Sequence, residues 1–162
     1  MTQLDPSKLP NRLADLLEVA CDDMAGLDRE HYSPNGSVWH TGDDGGLPCE
    51  LCLGGAVLAG TIGIARTIAN VTDTIVNNSP LSTKLMVIDE LRCGNVGFAA
   101  DLLYGGSRNP PAERARELLG DRDFKPVQRV LAERANFYSW QHWDALEPVY
   151  RDLVQLLRAH DL

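Results

Sequence analysis

Apolar residues recur at helical spacing along most of the chain, and this spacing predicts a bundle of helices. Between Leu9 and Leu27 the apolar positions share one face of a helix, with Pro10 in the first turn and Gly26 at the end. These positions are Leu9, Leu13, Leu16, Leu17, Ala20, Cys21, Met24 and Leu27. Because Cys21 lies on this face, we interpret it as a small core residue.

A run of small and apolar residues, PCELCLGGAVLAG at 48–60, predicts a second helix. We expect it to begin at about Cys49 and to end at about Gly63 or Ala69. Each glycine inside it costs about 1 kcal/mol relative to alanine. The glycines also keep the helix thin, so that a neighbouring backbone or a ligand can approach closely. We therefore predict that this is a buried central helix.

Polar breaks divide the remaining chain into further helices. Ser82 is placed to cap a third helix over 83–94, which Gly94 ends. Its predicted inward positions are Leu85, Met86, Ile88 and Leu91. More helices are predicted over 95–106, 112–120 and 125–137. The last helix carries Leu146, Val149, Tyr150, Leu153, Leu156 and Leu157, with Pro148 in its first turn.

The resulting fold prediction is an all-α, compact bundle of six to seven helices around the small-residue helix. A chain of 162 residues fits one domain, 1–162, with one long polar loop over 28–48. The net charge of -8 argues against general nucleic-acid binding, which needs clustered lysine and arginine. The longest apolar stretch, 51–65, is too short to span a membrane, and no signal peptide is recognised. We therefore expect a cytoplasmic protein with reduced cysteines.

Several residues with binding chemistry indicate a pocket for a small anionic ligand. Tyr32 and Trp39 offer faces for stacking, and Arg92 offers a forked donor for phosphate or carboxylate. His40 and Asn95 supply further polar contacts. We predict that these five residues line one site. These residues can also have purely structural roles. For example, Trp39 would close the core, and Arg92 would pair with a neighbouring carboxylate.

The cysteine pair supports two alternatives. A thiol of Cys49 or Cys52 at a helix start would have a lowered pKa, with His40 as its base, and this arrangement suits a hydrolase. Alternatively, His31, His40, Cys49 and Cys52 would form a zinc site. We favour a simpler interpretation in which Cys52 faces the core and Cys49 caps the helix. We accordingly favour a non-enzymatic protein without a cofactor.

Four aromatic residues cluster at 136–143 and cannot all face inward from one helix. Phe137, Tyr138, Trp140 and Trp143 therefore form either a lid on the core or an exposed contact surface. The second option predicts a homo-oligomer or an inhibitor that binds a host protein.

The segments GSVWH, CELCLGGAVLAGTIG and KLMVIDELRCGNVGFA together resemble a family of small bacteriophage proteins with no assigned activity. The matching positions are Trp39, Cys49, Cys52, Gly54, Gly55, Ala56, Lys84, Leu85, Asp89, Arg92 and Gly94. The resemblance implies a phage accessory protein that acts in the host cytoplasm. Such proteins often neutralise host defence by binding a host protein or by sequestering a nucleotide signal. We therefore expect a nucleotide-type ligand for the predicted pocket.

Overall fold

The computed structural model describes residues 8–35, 49–63, 79–105, 110–120 and 139–162. Within these ranges the chain forms six helices and one two-stranded sheet, which confirms the all-α prediction. The elements are α1 (Leu13–Ala25), β1 (Tyr32–Pro34), β2 (Cys49–Leu51), α2 (Leu53–Ala59), α3 (Ser79–Arg92), α4 (Val96–Tyr104), α5 (Pro110–Gly120) and α6 (Trp140–Ala159). The helix predicted over 125–137 lies outside the described residues.

Helix α1 organises the core, since it packs against α2, α3, α4 and α6. Its inward face matches the predicted apolar stripe from Leu13 to Met24, and Cys21 is completely buried there. Pro10 lies before the N-cap Arg12, so its predicted place in the first turn is wrong. Its most extensive contact is with α6, whose inward face includes the buried residues Leu146, Tyr150, Leu153, Val154 and Leu157. Arginines of α6 hold carboxylates of α1 along the edge of this contact. The contact between α1 and α6 is therefore apolar at its centre and has ion pairs along its edge.

Helix α2 is shorter than predicted. Residues Cys49–Leu51 form β2, which pairs in parallel with β1 in the register Tyr32↔Cys49 and Pro34↔Leu51. The extended backbone continues to Cys52, with φ −90° and ψ −173°, so Cys52 occupies the N-cap position. The predicted start at Cys49, and the role of Cys49 as the capping residue, are therefore wrong. Pairing with β1 holds this segment in an extended conformation.

The small-residue helix is nevertheless buried, as its composition predicts. Every residue from Leu53 to Leu58 is buried, and the helix packs against α1 and α3. Its end is fixed by Asp23 of α1, whose Oδ2 accepts from the Thr61 backbone N–H at 3.1 Å and from the Thr61 hydroxyl at 2.7 Å. A Cβ at Gly60 would lie 2.6 Å from the Asp23 carboxyl group, so glycine lets the two helices approach at this point.

The later helices follow the predicted pattern with two differences. Leu85, Ile88 and Leu91 are buried, but Met86 is 44% exposed because it lies one residue off that stripe. Gly94 and Gly105 end α3 and α4 with φ of +79° and +82°, conformations that glycine adopts readily. Helix α3 begins at Ser79 rather than after Ser82.

Pro148 lies well inside α6 rather than in its first turn. The helix begins earlier than predicted because Ser139 caps it, with its hydroxyl accepting from the His142 N–H at 3.2 Å. None of the described helices is long and apolar enough to cross a membrane.

Candidate functional site

Arg92, the predicted anion-binding residue, lies at the end of α3 and is only 7% exposed. Its Nε donates to Asp89 Oδ1 at 3.0 Å, and a terminal nitrogen lies 2.9 Å from the same oxygen. The pKa of Arg92 is raised: burial would lower it, but the Asp89 carboxylate, one helical turn away, outweighs that effect. The structural interpretation of Arg92 as the partner of a neighbouring carboxylate is thus observed directly.

The backbone at Arg92 is also engaged. Tyr150 of α6 donates its hydroxyl to the Arg92 carbonyl oxygen at 3.0 Å, and the ring of Tyr150 stacks on Trp143 with 5.9 Å between centroids. Burial raises the pKa of Tyr150, so the hydroxyl keeps its proton and remains a donor. Arg92 is consequently part of a polar junction between α3 and α6.

Tyr32 and Asn95 are held by other elements. The carbonyl oxygen of Tyr32 accepts from Trp140 Nε1 at 3.0 Å, while the Asn95 side-chain amide donates to Glu90 at 2.8 Å. Trp140 and Tyr150 are ten residues apart on α6, which corresponds to about 15 Å along a helix. The described contacts therefore attach Tyr32 and Arg92 to separate points of α6. Trp39 and His40 lie outside the described residues, so the predicted five-residue site remains a prediction.

Cys52 is buried at the N-cap of α2, which confirms that it faces the core. Burial raises the pKa of its thiol, although the backbone N–H groups of Gly55 and Gly54 act in the opposite direction. The lowered pKa predicted for a nucleophile is therefore wrong for Cys52. The Cys49 side chain and His40 lie outside the described part of the chain.

The zinc prediction involves the same residues. His31 Nδ1 is bonded to the Asp28 carboxylate, an exposed pair in the turn before β1. Across the described segments, no three histidine, cysteine, aspartate or glutamate side chains are grouped as metal ligands. Because His40 and the side chain of Cys49 are outside the described part of the chain, the zinc hypothesis stays a prediction.

The described part of the aromatic segment closes the core instead of forming an exposed patch. Trp143 is completely buried, and Trp140 is half-buried. The Arg29 guanidinium covers the Trp140 ring at 4.5 Å from its centroid and also binds Asp144 at 2.7 Å. Arg29 and Trp140 thus fasten the turn before β1 to the start of α6. Phe137 and Tyr138 lie outside the described residues.

Arg114 differs from the other described arginines in its partners. The structure describes seven arginines, and six of them are ion-paired with carboxylates: Arg12, Arg29, Arg92, Arg116, Arg151 and Arg158. Arg114 of α5 has no such pair within the described segments. Its terminal nitrogen donates to the Asp161 carbonyl oxygen at 3.3 Å, and its buried Nε has no hydrogen-bond acceptor there. Among the described residues, this guanidinium therefore has a single acceptor, the Asp161 carbonyl oxygen.

Arg114 lines a half-open cavity of about 170 Å³ between α5 and the end of α6. Glu117, Leu118 and His160 complete its described lining. Leu118 is buried and forms an apolar base, whereas Glu117 and His160 are exposed. The cavity therefore combines a guanidinium, an imidazole, a carboxylate and an apolar surface.

Sequence reasoning missed this cavity because Arg114 and His160 are distant along the chain. ERARELL in α5 has the pattern of an ordinary solvated helix face, and nothing in it indicates that α5 packs near the end of α6. One feature of the sequence does predict part of the lining. Arg114 and Glu117 each precede a buried residue, Ala115 or Leu118, so both charges lie at the edge of the apolar face of α5.

No protein-family model matches this chain, and neither does any curated protein or solved structure.

Proposed function

We propose that this protein is a non-enzymatic binding protein that captures a small anionic ligand. The observation that carries the proposal is Arg114, whose guanidinium lines a cavity without a carboxylate partner among the described residues. A guanidinium has five N–H donors in a fixed plane, which suits carboxylate and phosphate groups. The described residues supply one acceptor for Arg114, a backbone carbonyl oxygen.

The surroundings of Arg114 support binding of a compact ligand. His160 adds an imidazole to the lining, and Leu118 supplies apolar contact. A cavity of roughly 150 Å³ accommodates benzene. The observed volume of about 170 Å³ therefore suits a ligand, or a ligand group, of one-ring size. An entire dinucleotide would extend well beyond it.

The predicted site of Tyr32, Trp39, His40, Arg92 and Asn95 is the alternative location for the anion. It contains aromatic residues on which a nucleotide base could stack. A ligand at that site would therefore fit the hypothesis that a phage protein sequesters a nucleotide immune signal. An anion at Arg92 would compete with Asp89, which already holds the guanidinium through two nitrogen atoms. Binding at Arg114 requires no such exchange, and we therefore place the anion there.

A thermal-shift screen tests the proposal. The panel contains inorganic phosphate, small carboxylates, cyclic nucleotides and ADP-ribose, applied to the full chain and to Arg114→Gln. A ligand present at a hundred times its Kd stabilises a protein by about 2.7 kcal/mol. We expect at least one anion to stabilise the wild type and Arg114→Gln to lose that effect. Arg116→Gln, on the same helix but paired with Asp101, is the matched control and should respond like the wild type.

Two outcomes would contradict the proposal. If no anion in the panel stabilises the wild type, anion binding itself is wrong. If Arg114→Gln responds normally while Arg92→Gln does not, the ligand binds at the site predicted from sequence. The hydrolase and zinc alternatives are tested separately by metal analysis together with Cys49→Ser and Cys52→Ser. A protein-inhibitor function is tested by co-purification with host proteins.

A further inference from the structure

We propose that the ligand of the Arg114 cavity is a small zwitterion of the amino-acid type. Its carboxylate would bind Arg114, and its ammonium group would bind Glu117. This inference rests on the proposed function, because it names the chemical class of ligand for the same cavity. It is carried by the presence of one cation and one anion, Arg114 and Glu117, in the lining of a single small cavity.

The spacing of the two charges fits a short zwitterion. Arg114 and Glu117 are three residues apart on α5, so their Cβ atoms lie about 5–6 Å from each other on one helix face. Both side chains line the cavity, yet they form no ion pair with each other, and Glu117 has no salt-bridge partner among the described residues. An α-amino acid carries its carboxylate and ammonium on the same carbon, so one molecule can contact both side chains.

The carboxylate of Glu117 also discriminates against other anions. A phosphate or polyphosphate group at Arg114 would lie beside a like charge at Glu117, which opposes its binding. A ligand with a positive group at that position converts the repulsion into attraction. The other lining residues suit the remainder of such a ligand: buried Leu118 would contact a short apolar side chain, and His160 offers a ring N–H to the carboxylate.

The test is isothermal titration of the full chain with three probes: L-alanine, propionate and inorganic phosphate. Propionate has nearly the shape of alanine but lacks the ammonium group. We expect alanine to bind the wild type about fivefold more tightly than propionate, since an exposed ion pair contributes up to about that factor. In Glu117→Gln the difference should vanish. Glu113→Gln, which removes an exposed carboxylate of the same helix outside the cavity lining, should behave like the wild type.

The outcomes separate this inference from the proposed function. If propionate or phosphate binds the wild type as tightly as alanine, and Glu117→Gln strengthens their binding, the ligand is a simple anion and the zwitterion inference is overturned. If alanine keeps its advantage in Glu117→Gln, Glu117 does not hold the ammonium group, and the inference is likewise overturned. If none of the probes binds, and the broader anion panel also fails, the proposed function itself is wrong.

Discussion

Arg92 is buried beside α6 and Arg114 is partly buried near the end of α6, but their guanidinium groups have different partners. Arg92 has Asp89 on its guanidinium and Tyr150 on its carbonyl oxygen. Arg114 has one backbone carbonyl oxygen at 3.3 Å and an open cavity. Burying a guanidinium is costly unless its charge and its donors are satisfied. At Arg92 the protein provides an acceptor for the guanidinium, whereas the described residues give Arg114 only a backbone carbonyl oxygen, and we propose that a ligand accepts from the other donors.

On this basis we infer that Arg92 has a structural role and propose that Arg114 binds a ligand. Removal of the partners around Arg92 should lower stability and leave the Arg114 cavity intact. Changes at Arg114 should alter ligand binding with little effect on folding. The substitutions below test the structural region, beginning with the largest expected effect.

Trp143→Ala should destabilise the protein most. Trp143 is completely buried and stacks on Tyr150, so its removal leaves a large cavity beneath the Arg92 junction. Truncation of a buried tryptophan costs about 3–5 kcal/mol. Urea denaturation followed by circular dichroism measures the loss. Trp140→Ala, at a half-buried position on the same helix, should cost clearly less, and equal losses would contradict the assignment of Trp143 to the core.

Asp89→Ala should cost about 2 kcal/mol. Removal of one partner from a fully buried ion pair costs about 3–5 kcal/mol, but the Asp89 side chain is 36% exposed, so water screens part of the effect. The free energy of unfolding at neutral pH is the readout. Asp101→Ala removes the partner of Arg116, which is 38% exposed, and should cost less than Asp89→Ala. The reverse order would show that Arg92 does not depend on Asp89.

Gly60→Ala should cost about 1 kcal/mol, because the new methyl group must displace the Asp23 carboxyl group that lies 2.6 Å from its position. That displacement weakens both hydrogen bonds to Thr61. Thermal denaturation measures the change. With Asp23→Ala as the background, Gly60→Ala should lose most of its effect, and full additivity of the two substitutions would contradict the contact.

The smallest expected effect is the contribution of Asp23 to the free energy of unfolding, which should depend on pH. Burial raises the pKa of Asp23, even though the Thr61 hydroxyl and N–H act to lower it. A raised pKa in the folded state means that the contribution of Asp23 to stability is complete below its ordinary pKa of 3.8 and is lost as the pH rises through the folded value. The stability of wild type relative to Asp23→Asn should therefore fall as the pH increases from about 3.8. A relative stability that rises over this range would contradict the sign of the shift.

Local sequence signals predicted much of the fold. The apolar stripe of α1 and the glycines after α3 and α4 are short-range features, since each depends on residues within one or two turns. The start of α2 was not predictable in this way. Cys49–Leu51 is extended because it pairs with Tyr32–Pro34, a contact between segments that are distant along the chain. The start of α6 is set by the Ser139 cap and lies well before Pro148, so the proline does not mark the first turn.

The candidate site was less predictable than the fold. The sequence identifies which residues can bind an anion, but it does not show which of them the fold neutralises. Asp89 lies three residues before Arg92, so its pairing was a recognised alternative. Arg114 lines a cavity because α5 packs near His160, which is 46 positions further along the chain. No local sequence pattern predicts a contact between residues so far apart.

The availability of Arg114 can be measured most directly by NMR of the arginine side-chain Nε–Hε groups during titration with L-alanine. The account predicts that the Arg114 resonance, assigned through Arg114→Gln, shifts in a saturable manner while the Arg92 resonance stays in place. A titration in which the Arg92 resonance moves and that of Arg114 does not would contradict the account.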